Sequence, residues 1–149
     1  MRSGTENTPG IAGLYAAVRE MRGLDMCGLM RKKLRLIEAF RNEVPEMLVN
    51  GPEPESAAPH IVNISFPNVR GEVMLHALES EGVYASTGSA CSSKKLKVSG
   101  VLTAMGIAPS RAEWALRFSL SPHTGEEEID YAARRLGELY AQLKKFTRR

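Results

Sequence analysis

At 149 residues and 43% hydrophobic content, the chain holds enough apolar material for one domain that removes roughly 70% of its unfolded surface from water. Its 20 basic and 17 acidic residues give a formal charge of +3, but four positives, Lys144, Lys145, Arg148 and Arg149, crowd into the last six residues, so the rest is near neutral and no nucleic-acid partner is indicated. The two cysteines, Cys27 and Cys91, are too few and too far apart for a disulfide framework, no leader pattern opens the chain, and no apolar run approaches the ~20 residues of a membrane span; a cytoplasmic setting without membrane contact is expected.

Thr8 followed by Pro9 reads as a helix start, since a hydroxyl can take an orphan amide and proline loses nothing in a first turn. Apolar residues at Ile11, Leu14, Tyr15, Val18 and Met21, then at Met30, Leu34, Ile37, Val44 and Leu48, keep helical spacing and predict a long leading helix. Gly23, Gly28 and Pro45 mark places for a bend, a register change or an end. Residues 50–59, NGPEPESAAP, read as a breaker-rich linker.

IVNISF, residues 61–66, alternates Val62, Ile64 and Phe66 against Ile61, Asn63 and Ser65 and predicts a half-buried strand. A turn at Pro67 and Asn68 leads to a helix from Gly71 to Glu81, closed by Gly82, and then a short strand, Val83 to Ala85. Ser99 caps a short helix ending at Gly106. ALRFSL, 115–120, is a strand with Leu116, Phe118 and Leu120 on one face and Arg117 and Ser119 on the other. Thr124 and Glu127 form a capping box ahead of Ile129, Ala133, Leu136, Tyr140 and Leu143, and the KKFTRR tail suits the negative end of that helix. The sum is an α+β unit: a long leading helix and a small three-stranded sheet packed with helices. Residues 1–49 form a leading helical segment, 50–60 a linker, and 61–149 the unit that carries the cysteine loop.

That loop, ASTGSACSSKKLKVSG at 85–100, surrounds Cys91 with small and hydroxyl residues and follows it with Lys94, Lys95 and Lys97. A thiol attacks as thiolate, which needs solvent access and a positive field, and both ingredients are present. The residues alone leave a working thiol and an idle one as alternatives. Cys27, in MCGLM, reads as a packed, unreactive thiol. His60, His76 and His123 have no partners at metal-ligand spacing, so no metal site is expected. Arg117 is either solvated or aimed into a cleft, where a guanidinium grips a carboxylate through two parallel hydrogen bonds.

STGSACSS, SGVLTAMGI and LRFSLSPHTGEEEID, with RSGTENTPGIAG at the front and NISFPNVRGEVMLHALE in the middle, resemble the C-terminal part of a cysteine desulfurase of the NifS/IscS type, among the class V aminotransferases of fold type I. The spacing after Cys91 resembles the branch with an extended cysteine loop. The resemblance implies that Cys91 is the nucleophile that takes sulfur from L-cysteine as a persulfide, releasing alanine, and that Arg117 holds the substrate carboxylate. It implies that Thr5 reaches the phosphate of pyridoxal phosphate in the partner subunit of a homodimer; Arg2, in the same stretch, receives no role. The family's cofactor lysine follows a histidine upstream of RSGT, and no histidine here precedes a lysine. The chain is therefore expected to be a fragment, binding no pyridoxal phosphate and inactive alone, from a parent that passes sulfur to an acceptor such as an iron-sulfur scaffold or toward thiolated tRNA. A sulfur-carrier or binding module, a selenocysteine lyase, or another class V aminotransferase are the alternatives.

Overall fold

The computed structural model describes residues 4–87 and 99–146. Cys91, Lys94, Lys95, Lys97 and Arg2, and with them the predicted cysteine loop, lie outside the described residues.

The leading helix is two helices. In α1, Thr8–Met21, it is Asn7 rather than Thr8 that caps, its side-chain oxygen accepting from the Gly10 amide at 3.1 Å. Asp25 then accepts from the Gly28 amide at 2.8 Å and opens α2, Met26–Glu43. A short acidic side chain that bonds the backbone ahead of it starts a helix rather than continuing one, and Gly23 just before it supplies the break. None of α1 is buried, whereas α2 buries Leu29, Lys33, Leu36, Ile37 and Phe40.

Three antiparallel strands follow in the order β1 (Leu48–Asn50), β2 (Ile61–Ser65), β3 (Ala115–Ser119). β2 and β3 are the expected strands, with Val62 opposite Phe118 and Ile64 opposite Leu116. The third is not Val83–Ala85, which stays outside the sheet except for a bridge between Ser86 and Arg117. It is Leu48–Asn50, where Pro45 has already ended the helical series and Gly51, at φ 120°, turns the chain away. The linker contains a 3-10 turn, Pro54–Ser56.

The remaining helices are α3 (Gly71–Ser80), α4 (Gly100–Ala104), α5 (Pro109–Glu113) and α6 (Glu126–Phe146). Ser99 precedes α4 but makes no side-chain capping bond. At α6 the expected capping box between Thr124 and Glu127 does not form: Gly125 donates its amide to Glu128 at 2.7 Å, while Thr124 accepts from the Ser121 amide at 3.0 Å. The core lies between the inner sheet face and helices α2, α3 and α6. Phe40 meets Phe118 edge-on at 4.9 Å between ring centres, Phe66 closes on the same ring at 6.3 Å, and Ile64, Met74, Leu78, Leu116 and Leu136 are fully buried around them. The architecture is thus a mixed α+β unit, as expected. Among the described residues no helix is long and apolar enough to cross a membrane.

A candidate substrate cleft on the outer sheet face

Strand alternation that sends Val62, Ile64, Leu116 and Phe118 inward turns Asn63 and Arg117 to the opposite face. There α4 and the segment after β1 enclose a cleft of about 420 Å³, lined among others by Lys33, Asn50, Asn63, Ser99 and Arg117. Arg117 is exposed, and its guanidinium has no hydrogen bond or ion pair among the described residues.

The backbone of Arg117 is held firmly. Its amide donates to the Ser86 carbonyl at 2.7 Å and its carbonyl accepts from the Ser86 amide at 3.0 Å. Ser86 stands at the start of the segment that carries Cys91, and Ser99, where the description resumes, lines the same cleft. One side of that segment is thus bonded to the backbone of a cleft residue and the other lines the cleft, while Cys91 itself lies outside the described residues.

Beneath the cleft runs a polar network. Arg111 donates from Nε to Asn50 Oδ1 at 2.7 Å and from Nη2 to the Val49 carbonyl at 2.8 Å. Asn50 Nδ2 donates to Asn63 Oδ1 at 2.6 Å and to Ser65 Oγ at 2.8 Å, and Ser65 donates to the Arg111 carbonyl at 2.8 Å. Ser65, expected on the half-buried outer face, is wholly covered.

Lys33 forms one wall. Only 1% exposed, it donates from Nζ to the carbonyls of Pro54 at 2.7 Å and Ala58 at 3.0 Å, tying the proline-rich segment to α2. Burial pushes its pKa below the usual lysine range, and the nearby Glu55 carboxylate opposes that shift. Phasing α2 on Met30, Leu34 and Ile37 leaves Lys33 off the expected apolar stripe. The buried stripe is Leu29, Lys33, Leu36, Ile37 and Phe40, which keeps Ile37 but replaces Met30 and Leu34, and the helical spacing of Leu29, Leu36 and Phe40 is the sequence signal that encloses Lys33.

The same phase corrects Cys27. Expected to be packed, it is exposed: two residues before Leu29, it stands on the opposite side of the helix from the buried stripe. Thr5 is also exposed and is not among the residues that line the cleft.

These residues do not fit pyridoxal phosphate by themselves. The lysine at the cleft is buried and spends two of its hydrogens on carbonyls, and Thr5 sits outside it.

The sequence profile of the class-V aminotransferases matches residues 1–132. The chain belongs to the class-V aminotransferase family. Within that family it is 37% identical to the cysteine desulfurase IscS of Clostridium botulinum, over 98% of this chain and 38% of that protein. It is 39% identical to the cysteine desulfurase NifS of Azotobacter vinelandii, over 96% of this chain and 36% of that one. A solved NifS-like protein superposes with a TM-score of 0.77 at 31% identity, covering 95% of this chain and 36% of its own, and a NifS-like protein from Rickettsia africae does so with a TM-score of 0.74 at 25% identity. The fold is that of NifS-like members of fold type I, and the chain spans little more than a third of the length of these class-V relatives.

Proposed function

We propose that this chain is the C-terminal domain of a pyridoxal-phosphate-dependent cysteine desulfurase, which converts L-cysteine to L-alanine and leaves the sulfur as a persulfide on Cys91. The observation that carries the reading is the guanidinium of Arg117, without a partner among the described residues, in a cleft that Ser99 lines, with Ser86 bonded to the Arg117 backbone. In this reading Arg117 grips the substrate α-carboxylate and Cys91 accepts the sulfur. Residues 1–49 lead from a larger domain, 50–60 link, and 61–149 form the small domain. Thr5 reaches the cofactor phosphate of the partner subunit in a homodimer. The persulfide then passes to an acceptor protein such as an iron-sulfur scaffold, or toward thiolated tRNA, in the cytoplasm.

Cleaving the substrate's carbon–sulfur bond requires an electron sink. The described residues do not cradle one, so this chain's own part is to hold a carboxylate and present a thiol, and it is inactive alone. With L-cysteine and pyridoxal phosphate added, the isolated chain is expected to release no alanine. Treated with a small inorganic polysulfide, whose terminal sulfur the thiolate attacks while the polysulfide shortened by one sulfur leaves, it is expected to gain one sulfur at Cys91 faster than at Cys27. Peptide mass spectrometry reads this directly, and sulfur arriving at Cys27 first, or at neither cysteine, would overturn the proposal.

A further inference from the structure

The polar network under the cleft has a direction. Arg111 can only donate, so the oxygen of Asn50 must face it, at 2.7 Å from Nε. The Asn50 amide nitrogen is thereby turned toward Asn63 and Ser65, and Ser65 passes its hydroxyl hydrogen back to the Arg111 carbonyl, closing a ring. Asn63 meets an amine group at 2.6 Å and must present its oxygen to it. The reverse orientation would set two hydrogen-bearing nitrogens against each other. The two Nδ2 hydrogens of Asn63 are consequently aimed away from the network, and Nδ2 has no partner among the described residues.

Asn63 is also the cross-strand partner of Arg117. Because Arg117 spends its amide and carbonyl on Ser86, on the other edge of β3, it exchanges no backbone bond with Asn63. Such non-hydrogen-bonded pairs are the closer kind, with Cα atoms about 4.5 Å apart and side chains adjacent. A fixed amide donor and a guanidinium, each without a partner among the described residues, therefore stand side by side on one face of the cleft.

We infer that Asn63 is a second substrate-binding residue, donating from Nδ2 to the same α-carboxylate that Arg117 grips, and that Arg111, without touching the substrate, sets the direction of that amide. The inference rests on the carboxylate role of Arg117 proposed above. A carboxylate offers about four lone-pair sites, of which a guanidinium fork takes two; a neutral amide fills a third without adding charge. The pair selects a free carboxylate, since a carboxamide in its place would turn its own amine hydrogens toward donors.

The test uses the 149-residue chain, labelled with nitrogen-15 and titrated with L-alanine, which carries the carboxylate but no thiol. The Asn63 Nδ2 and Arg117 Nε signals are expected to move together with one apparent affinity, and neither L-alaninamide nor sodium chloride should move them. Asn63→Ala should weaken binding about tenfold, as for a hydrogen bond to a charged group. Arg111→Lys should reduce the Asn63 response while leaving the backbone signals of β2 and β3 in place. If Arg117 responds and Asn63 does not, the role given to Asn63 is overturned and the carboxylate reading stands; if neither responds, both fall. An equal response to L-alaninamide or chloride also overturns it, and an unchanged Asn63 response in Arg111→Lys overturns the role given to Arg111.

Discussion

Tyr140 shows how a single side chain ties the pH response to packing. Nearly buried, its hydroxyl lies within hydrogen-bond reach of the Glu46 carboxylate and, at 2.8 Å, of the Pro67 carbonyl. Burial first, and then Glu46, push its ionisation well above the usual tyrosine range. The unfolded chain ionises near pH 10 while the folded chain keeps its proton, so stability falls as pH rises past about 10. Lys33 acts in the opposite sense: burial disfavours its charged form, a cost that is relieved as pH rises through its lowered value toward about 10.4. Tyr140→Phe should lose about 1 kcal/mol near neutral pH but fall less steeply at alkaline pH, with the Lys33 contribution common to both chains; urea unfolding at about pH 7 and about pH 11 measures the difference. At this scale the sequence was uneven evidence. Alternation alone put Arg117 on the outer face, because a period of two leaves a strand only two choices. Cys27, read as packed from its apolar neighbours in MCGLM, is exposed because helical phase and not adjacency decides burial, and Lys33 drew no reading because hydrophobic spacing does not register a charge on the buried stripe.

α3 starts against β3 with no room to spare. A Cβ on Gly71 would lie 2.7 Å from the Ala115 carbonyl oxygen and 3.2 Å from that of Glu113, both backbone atoms that cannot swing aside. Gly71→Ala should therefore cost about 1–3 kcal/mol, read as a lower urea midpoint with an unchanged slope. The elements legible in advance were those with repeated signals: β2 and β3 through alternation, α6 through five core positions in helical phase. β1 and α5 were not, since three and five residues are too few to establish a period, whereas α4, equally short, was legible through Ser99 and Gly106 on either side of it. The split between α1 and α2 turned on side-chain capping by Asp25, a contact that competes with helix continuation and that hydrophobic spacing does not register.

In the whole molecule, α1 contributes nothing to the core. Ile11, Leu14, Tyr15 and Met21 are each about 60% exposed or more, a stripe of apolar surface with no protein against it among the described residues. A self-associating chain is the expected consequence, consistent with the homodimer proposed above. Light scattering should show a mass above the monomer at micromolar concentration, and Leu14→Glu with Val18→Lys should return it to the monomer without lowering the thermal midpoint. A monomeric wild-type chain would count against it. The family itself was legible from contiguous motifs, because residues spaced around a shared site are constrained together. The position of Cys91 relative to Arg117 was not, since a loop rich in glycine and serine carries no period from which a location can be read.

The outline of the sheet limits what kind of association is open to the molecule. One margin, β1, is three residues long, and at the other β3 is crossed at Ser86. Among the described residues neither rim offers the long row of vacant peptide groups on which strands from other chains could line up, so the sheet gives fibril recruitment little template. Association through the exposed stripe of α1 is the expected course instead.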